Sequence, residues 1–175
     1  MDKRDLEQLL SDVAGGSVTP ADALTRIQTA PTADLGFAQL DLSRGVRQGA
    51  GEVVYGAGKT AEQIAAIIEA LHDAGQERIL VTRLDAEKAA RTSELLDNGI
   101  DLGYVPDAQL ALVGGKPSPT GNGRIVVACA GTSDLPVAEE AALTAEFYGN
   151  EVDRLYDVGV AGLHRLLAHP EELAQ

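Results

Sequence analysis

The residues of this chain that are best suited to chemistry lie in two short loops, each of which directly follows a predicted strand. Loop 131–134 offers two hydroxyls and a carboxylate at a predicted helix start, where backbone N–H groups and the helix dipole favour an anion. Loop 157–162 is rich in glycine, which lets the backbone approach a ligand closely. Ligands of open α/β sheets bind beyond the carboxyl ends of the strands. The sequence therefore predicts a substrate site made of Gly131, Thr132, Ser133, Asp134, Asp157, Gly159, Val160, Gly162 and His164.

A purely structural role for these residues is the alternative that the sequence leaves open. Ser, Thr and Asp are common helix N-caps, and Asp134 is the expected N-cap of the helix that follows. Glycine is equally common in turns. Asp157 has the alternative of a solvated loop acid, and His164 that of a surface residue on a leucine-rich helix. Glu139 and Glu140, inside the helix before the second loop, are expected to face solvent.

A second set of candidate residues lies in the glycine-rich segment 41–60, which concentrates charge and one phenol. Two arginines three positions apart can bind a carboxylate or a phosphate through paired hydrogen bonds. The alternative is that they only neutralise nearby acids. The candidates in this segment are Asp41, Arg44, Arg47, Tyr55 and Lys59.

The sequence VVYGAGKT, residues 53–60, resembles a phosphate-binding loop because it ends in Gly-Lys-Thr. That loop requires a glycine five positions before Gly58, and the chain has Val53 there. A valine favours a strand. The segment therefore predicts a strand, a glycine turn and a helix whose capping box consists of Thr60 and Gln63.

The composition excludes several classes of partner. The formal net charge of −13 over 175 residues disfavours nucleic acid and anionic membrane surfaces. The single cysteine, Cys129, lies in an apolar run that predicts a buried, unreactive thiol. No metal-binding spacing is present, and the charged first residues do not form a signal peptide. These features predict a cytoplasmic protein.

The order of predicted elements gives an α/β fold. A helical segment at 1–30 precedes a small α/β domain at 31–114, and residues 115–124 form a glycine- and proline-rich linker. Residues 125–175 are then predicted to form a strand, a helix, a second strand and a second helix. This order is typical of the start of a doubly wound parallel sheet. Its first strand, from Ile125, is continuously apolar, as expected of a strand covered on both faces. Because two strands seldom bury a parallel sheet alone, we expect this domain to be truncated.

Two long segments resemble the LarB family of nickel-pincer nucleotide cofactor biosynthesis. They are LGFAQLDLSRGVRQGAGEVVYGAGKT and AGTSDLPVAEEAALTAEFYGNEVDRLYDVGVAGLHRLL. The second is also similar to the start of the PurE-type aminoimidazole ribonucleotide carboxylases, whose G-S-x-S-D and S-A-H-R motifs stand near GTSD and GLHR here. One residue is missing from the first motif, and glycine and leucine replace serine and alanine in the second.

The resemblance to LarB implies a reaction. The pyridinium ring of nicotinic acid adenine dinucleotide is carboxylated with CO2 or bicarbonate, and its phosphoanhydride is then hydrolysed to release AMP. The family's cysteine and its acidic helper belong to a later part of the domain, so the catalytic residues are unknown here and this chain alone is expected to be inactive. The family implies a homo-oligomer. No cofactor is evident, and the sequence does not decide whether Mg2+ takes part.

Two other functions stay open at this stage. One is a PurE-type carboxylase or mutase, which shares the second of the two similar segments. The other is a non-catalytic regulatory module that binds a nucleotide.

Overall fold

The structure is a computed structural model that describes residues 3–28, 32–42, 44 and 51–173. Two helices, α1 (Lys3–Ala14) and α2 (Pro20–Gln28), begin the chain. The hydroxyl of Thr19 accepts a hydrogen bond from the backbone N–H of Asp22 at 3.1 Å and so caps the start of α2. Strands β1 (Thr32–Asp34) and β2 (Gln39–Asp41) then form an antiparallel hairpin.

The first α/β unit is built on a four-stranded mixed sheet. Its spatial order is β3-β4-β6-β5, in which β3 and β4 are parallel and the other neighbours are antiparallel. Two helices cover one face and bury an apolar stripe that includes Ile64, Ile68 and Leu71. The elements are β3 (Val53–Tyr55), α3 (Ala61–Asp73), β4 (Ile79–Thr82), α4 (Ala86–Leu95), β5 (Leu102–Val105) and β6 (Leu110–Val113).

The turn that resembles a phosphate-binding loop is a strand-to-helix connection, as predicted. Both hydrogen bonds of the capping box between Thr60 and Gln63 are present, at 3.2 and 3.0 Å. The backbone N–H of Gly56 donates to the carbonyl of Thr82 at 2.7 Å, and Lys59 Nζ donates to the carbonyl of Tyr55 at 2.9 Å. The lysine therefore folds back on its own turn.

The last part of the chain contains a parallel strand pair joined by a helix. Strand β7 (Arg124–Ala128) pairs with β8 (Glu151–Leu155), and α5 (Leu135–Phe147) connects them. Two short helices follow, α6 (Leu163–Leu167) and α7 (Pro170–Leu173). This arrangement of strands and helices confirms the predicted α/β fold class.

The expectation that β7 is covered on both faces is wrong. No residue of β7 is fully buried, and Ile125 is 40% exposed. The continuous apolar run predicted that both faces of β7 would be covered. In the described part of the chain, however, β7 has one neighbouring strand and one covering helix.

Helix α5 packs against the first sheet as well as against its own strands. Its side chains Leu143 and Phe147 share a buried cluster with Leu80, Leu110 and Leu112 of the four-stranded sheet. Residues 115–123, between the two sheets, contain no helix or strand. The division of the chain into domains at this segment stays a prediction.

None of the helices in the described ranges combines the length and apolar character needed to cross a lipid bilayer.

Replacement of Leu143 by alanine tests the packing of α5 on the first sheet. Leu143 is 6% exposed, so Leu143→Ala should lower the free energy of unfolding by about 3 kcal/mol. Val137→Ala on the same helix is the matched control, because Val137 is 56% exposed and its loss should cost less than about 0.5 kcal/mol. Urea denaturation measures both, and equal losses would contradict this packing.

Candidate functional site

The structure brings the two predicted loops together at one edge of the β7–β8 pair. The parallel register pairs Ala128 with Leu155, so both strands end at the same edge. The backbone N–H of Gly159 donates to the carbonyl of Ala130 at 3.0 Å. A Cβ atom at position 159 would lie 2.8 Å from that oxygen, which explains the glycine there. The second loop is therefore held directly against the residues that lead into the first.

Loop 131–134 contains a 3-10 turn over Thr132–Asp134. The side chain of Asp134 does not make the N-cap hydrogen bond that the sequence predicts. Asp134 makes no side-chain bond to the first turn of α5. Instead, its carboxylate accepts a hydrogen bond from the N–H of Gly131 at 3.1 Å. This bond closes the turn and leaves Thr132 and Ser133 exposed.

Asp157 is held by an arginine that the sequence analysis did not select. Its carboxylate accepts a hydrogen bond from Arg165 Nη1 at 2.8 Å, and the same nitrogen donates to the carbonyl of Asp157 at 3.0 Å. Val160 and His164 are exposed, and a Cβ atom at Gly162 would lie 3.1 Å from the ring of His164. Asp157 and Arg165 therefore brace this loop.

A cleft of about 560 Å³ lies where the first sheet meets the carboxyl ends of β7 and β8. Thr132 and Tyr156, which follow these two strands, line one side. The turn between β5 and β6 lines the other side, and the first half of α5 lies between them. The described residues that line it are Pro106, Asp107, Gln109, Thr132, Leu135, Pro136, Glu139 and Tyr156. Of the predicted site residues, only Thr132 belongs to it.

Three non-glycine residues with left-handed backbone lie in loops around this cleft. They are Arg83 with φ 54°, Gln109 with φ 47° and Asp157 with φ 57°. The N–H of Leu84 donates to the carbonyl of Gln109 at 2.8 Å, and Arg83 Nε contacts Glu140 of α5 at 2.8 Å. Such conformations cost about 1–3 kcal/mol each and cluster at functional sites. Their position supports the cleft as the candidate site.

The expectation that Glu139 and Glu140 face solvent is wrong, because both have partners on other elements. Their side chains are 22% and 20% exposed. Arg154 Nε lies 3.2 Å from each carboxylate oxygen of Glu139, and the hydroxyl of Tyr156 donates to Oε1 at 2.9 Å. Arg154 also donates to Glu146. Hydrogen bonds to Glu146 and then to Glu139 raise the pKa of Arg154, which stays charged.

Tyr156 has a strongly shifted pKa. Burial, together with the hydrogen bond to Glu139, raises the pKa of its phenol to about 12. The hydroxyl is therefore protonated at neutral pH and donates a hydrogen bond to Glu139. Its oxygen can still accept a hydrogen bond from a group in the cleft.

The described members of the second candidate set do not line the cleft. Arg44 Nη1 lies 3.4 Å from Glu52, and Lys59 is bonded to the carbonyl of Tyr55. Tyr55 is 57% exposed, and Asp41 ends β2. Arg47 lies outside the described residues.

Cys129 follows β7 directly and is 9% exposed, which confirms its predicted burial. Its Sγ lies 3.8 Å from the carbonyl oxygen of Gly131. Within the ranges that the structure describes, no three His, Cys, Asp or Glu side chains are grouped so as to hold a metal ion.

A second cavity, of about 360 Å³, lies at the opposite, amino ends of β7 and β8. Its charged side chains are paired with one another. Lys116 contacts Glu146 at 2.7 Å, and Arg124 contacts Asp153 at 3.0 Å and Glu151 at 3.2 Å. The rule for open sheets favours the cleft at the carboxyl ends instead.

The shifted phenol predicts a pH dependence of stability. The folded-state pKa of Tyr156 is raised from 10.0 to about 12. The contribution of the protonated Tyr156 hydroxyl to the free energy of unfolding is therefore complete below pH 10 and is lost as the pH rises towards 12. The difference in unfolding free energy between the wild type and Tyr156→Phe should therefore fall across that range. Denaturant unfolding at several pH values measures this difference. Tyr148→Phe is the matched control, because it removes the hydroxyl of an exposed tyrosine. A difference independent of pH would contradict the shift.

Comparison with known proteins identifies one domain of the chain. Residues 32–114 match the model of the LarB/PurE-like N-terminal domain. Over 130 residues the chain is 35% identical to the uncharacterized protein MJ0165 of Methanocaldococcus jannaschii, covering 73% of this chain and 51% of that protein. The chain thus spans about half the length of the curated relative that it matches. Residues 32–114 are thus identified as a LarB/PurE-like N-terminal domain, which relates this part of the chain to the LarB family.

Proposed function

We propose that this chain supplies substrate-binding residues to a LarB-type enzyme that carboxylates nicotinic acid adenine dinucleotide. In that reaction CO2 or bicarbonate adds a carboxyl group to the pyridinium ring, and hydrolysis of the phosphoanhydride then releases AMP. The match of residues 32–114 to the LarB/PurE-like N-terminal domain supports the choice of reaction. The observation that carries the proposal is the cleft in which a turn of the LarB-type domain meets the carboxyl ends of β7 and β8.

The position of the cleft suits a ligand with two ends. Loops 131–134 and 157–162 lie at the same edge of the β7–β8 pair, and Thr132 belongs both to the first loop and to the cleft. A dinucleotide can thus place one half in the cleft while the rest extends along the exposed Ser133. The other predicted site residues, from Asp157 to His164, lie on the loop beside it.

Covalent catalysis by a cysteine requires an accessible thiolate. Cys129 is buried, and the resemblance to LarB assigns the family cysteine to a different position. The proposed contribution of these 175 residues is therefore binding and orientation of the dinucleotide, and not attack on the pyridinium ring.

Calorimetric titration with nicotinic acid adenine dinucleotide tests this function. The 175-residue chain should bind the dinucleotide and, with bicarbonate added, should release no AMP detectable by mass spectrometry. Leu135→Glu, which puts a charge into the cleft, should weaken binding at least about tenfold. Val137→Glu on the same helix is the matched control, since Val137 is exposed and is not part of the cleft lining.

Three outcomes would contradict the proposal. Absence of binding by the wild type would remove the substrate-binding role. Release of AMP by this chain alone would mean that it contains its own catalytic groups. Tighter binding of aminoimidazole ribonucleotide than of the dinucleotide would favour the PurE-type reaction.

A further inference from the structure

Among the described residues, the lining of the cleft contains no Lys, Arg or His side chain. Its two acids are Asp107 and Glu139, and its other polar side chains are Gln109, Thr132 and Tyr156. A phosphate or a ring carboxylate placed here would meet these acids without a cation from the lining to pair with it. Burial of an unpaired charge is costly. The cleft therefore disfavours the anionic groups of a nucleotide.

The polar side chains of the lining differ in whether they already make hydrogen bonds within the protein. The carboxylate of Glu139 is occupied by Arg154 and by the hydroxyl of Tyr156. The side chains of Asp107, Gln109 and Thr132 make no hydrogen bond or ion pair in the described part of the chain. These three side chains, with the oxygen of Tyr156, leave mostly acceptors for a ligand. Ribose hydroxyls and an exocyclic amine are donors that match them.

The apolar part of the lining suits a flat ring. Pro106 belongs to the turn between β5 and β6, and Leu135 and Pro136 begin α5. The amide of Gln109 offers a donor and an acceptor side by side, the pattern with which glutamine pairs with adenine. The volume of about 560 Å³ lies within the range of small-molecule sites, about 300–1,000 Å³.

From this lining we infer that the cleft binds a nucleoside without a carboxylate, such as adenosine, and that Gln109 reads its base. The inference rests on the proposed function, since it assigns the adenosine half of the dinucleotide to the cleft. The phosphates and the carboxylated ring then lie outside it. The LarB-type domain, through its turn at 106–109, becomes the part of the chain that selects the ligand.

The left-handed backbone of Gln109 makes a sharp test possible. Glycine adopts this conformation without steric cost, so Gln109→Gly removes the amide while it maintains or raises stability. Gln109→Asn is a second variant, because asparagine tolerates the same backbone but has a shorter side chain. Arg83→Gly is the matched control, since Arg83 is also left-handed but does not line the cleft.

The inference is tested by calorimetric titration of the 175-residue chain with adenosine, with nicotinic acid riboside and with the full dinucleotide. Adenosine should bind at least about tenfold more tightly than nicotinic acid riboside, because the described lining supplies no Lys, Arg or His side chain to pair with the riboside's carboxylate. Gln109→Gly and Gln109→Asn should each weaken adenosine binding about tenfold. Arg83→Gly should bind adenosine within about twofold of the wild type. Thermal unfolding of each variant reports its stability.

The outcomes separate this inference from the proposed function. Binding of the dinucleotide with equal affinity for the two nucleosides, or with no effect of either Gln109 variant, would overturn the inference and leave the function standing. Binding of adenosine that depends on Gln109, without binding of the dinucleotide, would support the inference and contradict the function.

Discussion

The arrangement of the candidate site depends on helix α5, which contacts other elements on two sides. On one side Leu143 and Phe147 lie in the apolar cluster of the four-stranded sheet. On another side Glu139 and Glu146 bind Arg154 of β8. Because one rigid helix makes both sets of contacts, the carboxyl ends of β7 and β8 are held against the turn between β5 and β6. The cleft exists only where these elements meet.

The two sides of α5 are stabilised by different forces. Burial of Leu143 and Phe147 contributes the hydrophobic term, which is large and without direction. The pairing of Arg154 with Glu139 and Glu146 contributes little net stability, since partly exposed ion pairs are worth about 1 kcal/mol or less. Its geometry matters more. It fixes the position of Glu139, and Glu139 in turn orients the hydroxyl of Tyr156 at the cleft.

Local signals in the sequence predicted most elements of the fold. The capping box at Thr60 and the parallel β7–β8 pair depend on neighbouring residues and short periodic patterns, and they were predicted correctly. The expected cover of β7 was wrong, because burial depends on what packs on a strand and not on the strand's own residues. Glu139 was predicted to face solvent for the same reason, since its partner Arg154 lies on a different element, strand β8.

The candidate site was predicted only in part. The rule for strand ends located Thr132, and extended by one residue before Asp157 it would also have found Tyr156. Nothing in the local sequence indicates Pro106, Asp107 or Gln109, because they reach the cleft only through the packing of α5 on the first sheet.

The most direct measurement is a nuclear magnetic resonance titration of the isotope-labelled chain with nicotinic acid adenine dinucleotide. If the two sheets share one ligand cleft, backbone amide shifts should change together at Gln109, Thr132 and Tyr156. Shift changes confined to Lys116 and Asn150, in the cavity at the amino ends of β7 and β8, would contradict a shared cleft.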